Sequence, residues 1–332
     1  MIREFVTAED GADLTPGVVE PVGALTFAAT PPLRHFAELD DDGRLRARCS
    51  VWVRSDAKGS PTNDGLIGHF AAADCDDDPA GIAVLDHACR FLSEQGCARA
   101  IGPLDGNTWH RYRFVTERGS EPPFFLEPDN PDSWPALFVR HGFAPLATYT
   151  SNLATDLANV DPRTPSRLEA LQDDGVRFRT LRAEELEAEL ARLYDLSAVS
   201  FANNFLYSPI DARTFVEMYL PLRPYLVPEL VHFAERDQIL IGYAFGVPDL
   251  AAAQRPGSPR TFLVKTVAVD PRESGSGLGS VLVDLCQQAG RSLGFERAIH
   301  ALMHETNRSR SISEKYGKTI RRYTLFAKDL LP

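Results

Sequence analysis

Apolar and polar positions alternate with changing period along the second half of the chain, and the changes predict an order of strands and helices. The short run GVRFRTL (Gly175–Leu181) predicts a strand. From Glu184 to about Asn203 the period is helical and the composition is rich in Glu, Leu and Ala. DARTFVEMYL (Asp211–Leu220) predicts a second helix, stopped by Pro221. In LVHFAERDQILIGYAFGV (Leu230–Val247) two apolar runs flank Arg236-Asp237, which predicts a hairpin. TFLVKTVAV (Thr261–Val269) predicts the next strand. The following helix carries Leu278, Val281, Leu282, Leu285, Ala289 and Leu293 on one stripe, with Ser280, Asp284, Gln287 and Arg291 off it, and Gly294 ends it. RAIHALM (Arg297–Met303), NRSRSISEKYG (Asn307–Gly317) and TIRRYTLFAKDL (Thr319–Leu330) predict a strand, a short helix and a last strand.

The first half repeats this plan. With the chain shifted by 198 residues, Gly81 falls on Gly279, Asp86 on Asp284, Gly96 on Gly294, and Arg99-Ala100-Ile101 on Arg297-Ala298-Ile299. YTSNLATDL (Tyr149–Leu157) likewise resembles YTLFAKDL (Tyr323–Leu330). A duplicated α/β unit accounts for this order. The boundary is expected within ANVDPRTPSRLEALQDDG (Ala158–Gly175), which carries Pro162 and Pro165 and many polar residues, with a helical turn or two in its middle. The expected domains are residues 1–160 and 175–332.

Between strand and helix in the second copy lies PRESGSGLG, with Gly275, Gly277 and Gly279 at alternate positions. Glycine permits positive φ and close approach to the backbone. The first turn of a helix leaves N–H groups without intrahelical partners and carries partial positive charge. Such a turn suits a phosphate. The first copy differs here. Its loop is ADCDDDPA, with Asp77 in the place of Gly275 and Pro79 in that of Gly277, and Asp74, Asp76, Asp77 and Asp78 crowd the helix start. These carboxylates repel an anion, and the proline removes a donor. Only the second copy is expected to hold the anion, leaving the first a structural or substrate-shaping part.

Composition narrows the field. The chain has 332 residues, 44% hydrophobic and 24% charged, and a net charge of −11. The acidity argues against nucleic acid as the main partner and favours a cationic small-molecule ligand. No apolar run is long enough to span a bilayer, and MIREFVTAEDGADL at the start lacks an apolar signal core, so a cytoplasmic protein with no membrane partner is expected. The five cysteines (Cys49, Cys75, Cys89, Cys97, Cys286) form no C-x-x-C and are read as reduced thiols. His300 and His304 alternate along one strand without a third ligand at metal spacing, so no metal is expected. From Glu305 onward Arg308, Arg310, Lys315, Lys318, Arg321, Arg322 and Lys328 outnumber the acids Glu305, Glu314 and Asp329, either as a solvated face or as local attraction for phosphate.

Three phosphate cradles compete. A P-loop needs Lys and Ser/Thr after its last glycine, and Ser280-Val281 stands there instead. A dinucleotide fold wants G-x-G-x-x-G within a longer βαβ series than remains after Gly279. The third cradle fits better. VAVDPRESGSGLGSVLV (Val267–Val283) resembles the strand, pyrophosphate loop and helix of the GCN5-related N-acetyltransferases, and HETNRSRSISEKYG (His304–Gly317) resembles their second coenzyme A-contacting segment. The order of elements across 176–330 is similar to theirs, and the whole chain resembles bacterial tandem members with a degenerate first copy. IGPLDGNTWHRYRF (Ile101–Phe114) and FFLEPDNPDSWP (Phe124–Pro135) resemble segments of such members.

The resemblance implies two α/β domains in tandem, each a mixed, mainly antiparallel sheet flanked by helices. It implies that acetyl-CoA or another acyl-CoA is the cosubstrate and that a primary amine of a small molecule attacks the thioester directly. Val267 and Val269 would offer backbone groups to the pantetheine. Ser274, Gly275, Ser276, Gly277, Leu278, Gly279 and Ser280 would hold the pyrophosphate, with Asn307, Ser309 and Arg310 on the arm. Asn203, Asn204 and Tyr207 would border the acceptor. The family's tyrosine that protonates the thiolate aligns with Ser313, and Tyr316 lies three residues later; both are candidates for that role. Glu235 and Asp249, at strand ends, are candidate bases. Ser274 stands where the family's loop has Gln or Arg. TWHRYRF (Thr108–Phe114) either lines a cleft between the halves or anchors an insert. A non-catalytic acyl-CoA-binding protein is the alternative, and a monomer or homodimer is expected.

Overall fold

The computed structural model describes residues 1–55 and 61–330. The first half runs β1 (Ile2–Phe5), α1 (Ala24–Ala29), β2 (Arg34–Leu39), β3 (Leu45–Ser55), β4 (Pro61–Ala71), α2 (Pro79–Glu94), β5 (Arg99–Gly102), β6 (Phe114–Glu117), α3 (Ser133–Arg140) and β7 (Ala144–Ala154). After α4 (Thr164–Asp173) come β8 (Arg177–Thr180), α5 (Leu186–Ser200), α6 (Ala212–Tyr219), β9 (Val231–Arg236), β10 (Ile239–Pro248), α7 (Leu250–Ala253) and β11 (Thr261–Val269). The chain ends with α8 (Leu278–Ser292), β12 (Arg297–His304), α9 (Arg308–Ser313) and β13 (Lys318–Asp329). This is the expected mixed, mainly antiparallel α/β architecture.

The strands join into one sheet in the order β1-β2-β3-β4-β5-β13-β7-β12-β11-β10-β9-β8, with β6 against β13. Each half lends its last strand to the other. β7 pairs with β12, β13 pairs with β5, and β7 and β13 pair with each other. Tyr149 and Tyr323, matched residues of the repeat, face each other across that central ladder. A local two-fold axis therefore passes between two similar strands, as it would in a symmetric dimer. The sequence boundary at 158–175 divides the chain in order but not the sheet.

Local chemistry accounts for the elements. Asp237 and Gln238 take φ of 50° and 65° between β9 and β10, a two-residue turn with the twist a hairpin needs. Gly294 terminates α8 at φ 81°. Val281, Leu282 and Cys286 of α8 pack on Ala244, Phe262 and Val264, while α5 and α6 cover the opposite face at Phe233, Tyr243 and Phe245. Each fully buried Leu, Val or Phe contributes about 1.5–3 kcal/mol. The helical pattern left Ser280, Asp284 and Gln287 on a polar face, yet all three are buried. The linker is the reason. It forms α4, which docks on α8, and Thr164 Oγ1 donates to Asp284.

Both copies contain one parallel pair that parts. β11 and β12 pair only from Thr261–Arg297 to Val264–His300. Beyond it β12 kinks at Leu302, which has φ 60° and donates its N–H to Ser151 Oγ at 3.0 Å. β4 and β5 likewise pair only from Asp64–Arg99 to Leu66–Ile101. There the chain fills its own gap. Leu104 N–H donates to Ile67 O at 2.8 Å, and His69 N–H donates to Asp105 Oδ1 at 2.6 Å.

The exchange predicts that neither half folds alone. Residues 1–160 expressed separately should show no cooperative thermal transition, and co-expression with 161–332 should restore one, as read by circular dichroism of the purified pair.

Candidate active site

A cavity of about 830 Å³ opens where β11 and β12 part. The second copy supplies Val264–Val267, His300–His304, Asn307, Ser309 and Ile312, and from its helices and loops Phe201, Asn204, Phe205, Tyr207 and Tyr219. The first half supplies Thr108–Arg113, Phe124–Asp129 and Tyr149. The TWHRYRF segment thus lines a cleft between the halves. It is also an anchor, because Trp109 Nε1 donates to Ser208 O at 2.8 Å. The loop 124–129 is pinned by a buried ion pair in which Arg321 donates to Glu127 at 2.8 Å. Arg321 is therefore no part of a solvated basic face.

The glycine loop lies at the α8 end of this region. Gly275 and Gly277 have φ of 95° and 81°, values that disfavour side chains. Among the described residues nothing accepts from the N–H groups of Gly277 and Gly279, and the Ser276 hydroxyl accepts from Leu278 N–H at 3.2 Å. Gly279 faces Val267, Val269 and Ile312. A Cβ on Gly277 would lie 2.8 Å from Arg167 Cδ, so an arginine of α4 stands at the loop. Asp161 gathers Arg163, Arg167 and Lys315 at 2.8, 3.5 and 2.8 Å. Three cations against one carboxylate leave positive charge beside the helix start. Arg167 brings a cation to the loop from a segment outside the motif.

The first copy's helix start is closed. Asp78 accepts from Gly81 N–H at 2.8 Å, Pro79 occupies the first turn, and Arg140 of α3 reaches Asp76 at 3.0 Å. Ser133 of the same helix donates to Asp74 at 2.6 Å.

At the bottom of the cavity a hydrogen-bond chain ends on His300. Thr319 Oγ1 donates to Asn152 Oδ1 at 3.0 Å, which fixes that amide. Asn152 Nδ2 donates to Ser313 Oγ at 3.0 Å, and Ser313 Oγ lies 2.9 Å from His300 Nδ1. The Ser313 hydrogen is satisfied only if it goes to Nδ1, so the proton of the neutral ring sits on Nε2. Nε2 is buried and has no partner. Burial pushes the His300 imidazole down to about 4, so it is neutral at physiological pH.

The other candidates are placed as follows. Asn204, Tyr207, Val267, Asn307 and Ser309 line the cavity; Asn203 is exposed outside the lining, and Val269 lies further along β11. Arg310 is paired with Glu314 at 2.9 Å. Tyr316 is packed beneath α8, where burial and nearby Asp284 push its hydroxyl up, and it is not in the lining. Ser313 reaches the cavity only through His300. Glu235 is held at 2.6 Å by both Arg179 and Arg192. Burial raises its carboxyl, but the two guanidiniums outweigh that and bring it below the usual range. Asp249 is buried as the cap of α7 and accepts from Phe125 N–H at 2.9 Å. Neither carboxylate lines the cavity.

A parted parallel pair with a glycine-bearing helix start beside it is the arrangement of a GNAT-type fold. Residues 190–317 match the model of the Acetyltransferase (GNAT) family. A tandem GNAT protein from the clavulanic acid biosynthesis pathway matches 100% of this chain and 99% of its own at 12% identity, with a TM-score of 0.53. A GCN5-related N-acetyltransferase from Anabaena variabilis matches 100% of this chain and 73% of its own at 8% identity, with a TM-score of 0.54. One from Sphaerobacter thermophilus matches 90% and 81% at 14% identity, with a TM-score of 0.50. Comparison with curated proteins gave no match. The second copy thus matches the GNAT family model over 190–317, and the whole chain shares its fold with tandem GNAT proteins.

Gly277→Asp, which places the first copy's charge on the second, should abolish acetyl-CoA binding in isothermal titration calorimetry. Arg167→Ala should weaken it about tenfold, the scale of one charge-assisted hydrogen bond. Asp77→Asn should leave it within twofold.

Proposed function

We propose that the protein is an acyl-CoA-dependent N-acyltransferase, with acetyl-CoA as donor and a small-molecule primary amine as acceptor. The single observation that carries this reading is the pairing of the glycine-loop helix start with a cavity that begins at the parted strands. The C-terminal copy holds the coenzyme and the N-terminal copy, its own gap filled, shapes the acceptor side. The five free cysteines, four of them buried, suit a cytoplasmic setting. No helix among the described residues is long and apolar enough to cross a membrane.

In this reading N–H groups at Gly275, Gly277, Gly279 and Ser280, with Arg167 and Lys315, take the pyrophosphate. Ser274, Ser276 and Leu278 complete the loop. Backbone groups of Val267 and Val269 and the polar atoms of Asn307 and Ser309 guide the arm, with Arg310 nearby. The amine nitrogen attacks the thioester carbonyl, a C–N bond forms, the C–S bond breaks, and the ammonium proton leaves to solvent or to the departing thiolate. Thiols ionise near pH 8.5, so departure needs no strong acid. His300 supplies a hydrogen bond from Nε2 to the charge that develops on oxygen or sulfur. It gives no proton, because a neutral imidazole that lost one would become an imidazolate. Ser313 and Asn152 position it by fixing the tautomer.

The test is release of free thiol from acetyl-CoA with a panel of primary amines. Binding without turnover across the panel and across pH 6–9 would overturn the enzymatic reading. His300→Phe should lower kcat about a hundredfold, the scale of one oxyanion donor, with acetyl-CoA affinity unchanged. His300 is already neutral well above pH 4. The wild-type kcat/KM should therefore rise with pH along the acceptor amine's own titration and show no separate limb near 6.5.

A further inference from the structure

Arg113 is a buried cation without an acid. It is 6% exposed and lines the cavity, and no carboxylate among the described residues pairs with it. Its Cζ lies 4.0 Å from the Tyr112 ring centroid and 4.3 Å from that of Tyr149. Nη1 donates to Tyr112 Oη at 2.7 Å, while Nε is buried without a partner. The edge formed by Nε and Nη2 is thus the unused side of the guanidinium, and that edge matches a carboxylate bidentately. An unpaired buried charge is costly unless something compensates it.

The neighbourhood has the same sign. Lys265 is the extra residue where the β10–β11 register slips, and such bulges redirect side chains. Its Nζ donates to Tyr219 Oη at 3.0 Å and has no acid partner among the described residues. Arg111 also lines the cavity. Its two acids are engaged elsewhere, Glu127 with Arg321 and Asp129 with Arg118 at 2.8 Å. Backbone strain collects here too. Of the seven non-glycine residues with positive φ among the described residues, Arg113, Leu126 and Leu302 line the cavity. Such strain gathers at ligand clamps.

We propose, on the basis of the N-acyltransferase reading, that the acceptor is an amine that also bears a carboxylate, of amino-acid type with an apolar or aromatic body. Arg113 of the N-terminal half is its anion-recognising residue. Trp109, Phe124, Phe205 and Tyr219 supply apolar surface for the body. The same unpaired cations disfavour a bound ammonium, so they promote the neutral amine that must attack. This local field opposes the cationic acceptor that the net charge suggested. No step needs a carboxylate base, which fits the placement of Glu235 and Asp249 outside the cavity.

The test uses the full chain and two unreactive probes of one shape, 3-phenylpropionate and 3-phenylpropionamide, followed by Trp fluorescence in the presence of coenzyme A. The wild type should bind the carboxylate at least tenfold more tightly than the amide. Arg113→Met should erase the difference, and Arg113→Lys should keep part of it. Unchanged acetyl-CoA affinity in both variants shows that they are folded. In turnover, phenylalanine should exceed phenethylamine, and Arg113→Met should reverse the order. No carboxylate preference in the wild type, or a preference that survives Arg113→Met, overturns the proposal. Loss of acetyl-CoA binding by the wild type itself would instead overturn the transferase reading, whatever the probes show.

Discussion

The antiparallel ladder between β7 and β13 is the constraint on which the rest of the structure depends. It places the last strand of each half inside the other and sets Tyr149 against Tyr323. Arg321, carried on β13, reaches out to Glu127 of the first half, and Tyr323 donates to the same carboxylate. Those contacts hold the 121–129 loop over the gap between β11 and β12. Without the exchange β13 could not bring Arg321 and Tyr323 to Glu127.

The same symmetry makes the two copies unequal. Each has a parallel pair that parts and a helix that starts beside it. In the first, Leu104 and Asp105 occupy the gap and four aspartates close the helix start. In the second, the gap is a cavity and, among the described residues, nothing accepts from the N–H groups of Gly277 and Gly279. The first half, its own gap filled, lines the cavity of the second through residues 108–113 and 124–129. Its loop 108–113 contributes the Arg113 guanidinium to a cavity to which the second copy brings Lys265.

Much of this was legible in the sequence, for local reasons. Period, turn residues and terminal glycines located β9 to β13, α8 and the left-handed Gly277, because each depends on a few neighbouring side chains. The duplication was legible because Gly81, Gly96 and Arg99-Ala100-Ile101 keep their spacing. The strand exchange was not, since β7 and β13 have similar patterns and either could complete either sheet. Burial of Asp284 was hidden because it depends on the docking of α4, and Arg167 reaches the glycine loop from that same helix. His300 looked like an ordinary strand histidine, and only its chain through Ser313 and Asn152 sets it apart. The net charge of −11 is silent on the cavity, because it averages the whole chain, whereas Arg111, Arg113 and Lys265 stand in the lining.

In the proposed reading one coenzyme grips the second copy while the first walls the acceptor side. Hydrogen–deuterium exchange with and without acetyl-CoA tests it directly, because amides that donate to a pyrophosphate stop exchanging. Protection is expected at residues 275–281 and weakly at 108–113, with none at 74–82. Protection at 74–82, or at neither helix start, would contradict the account.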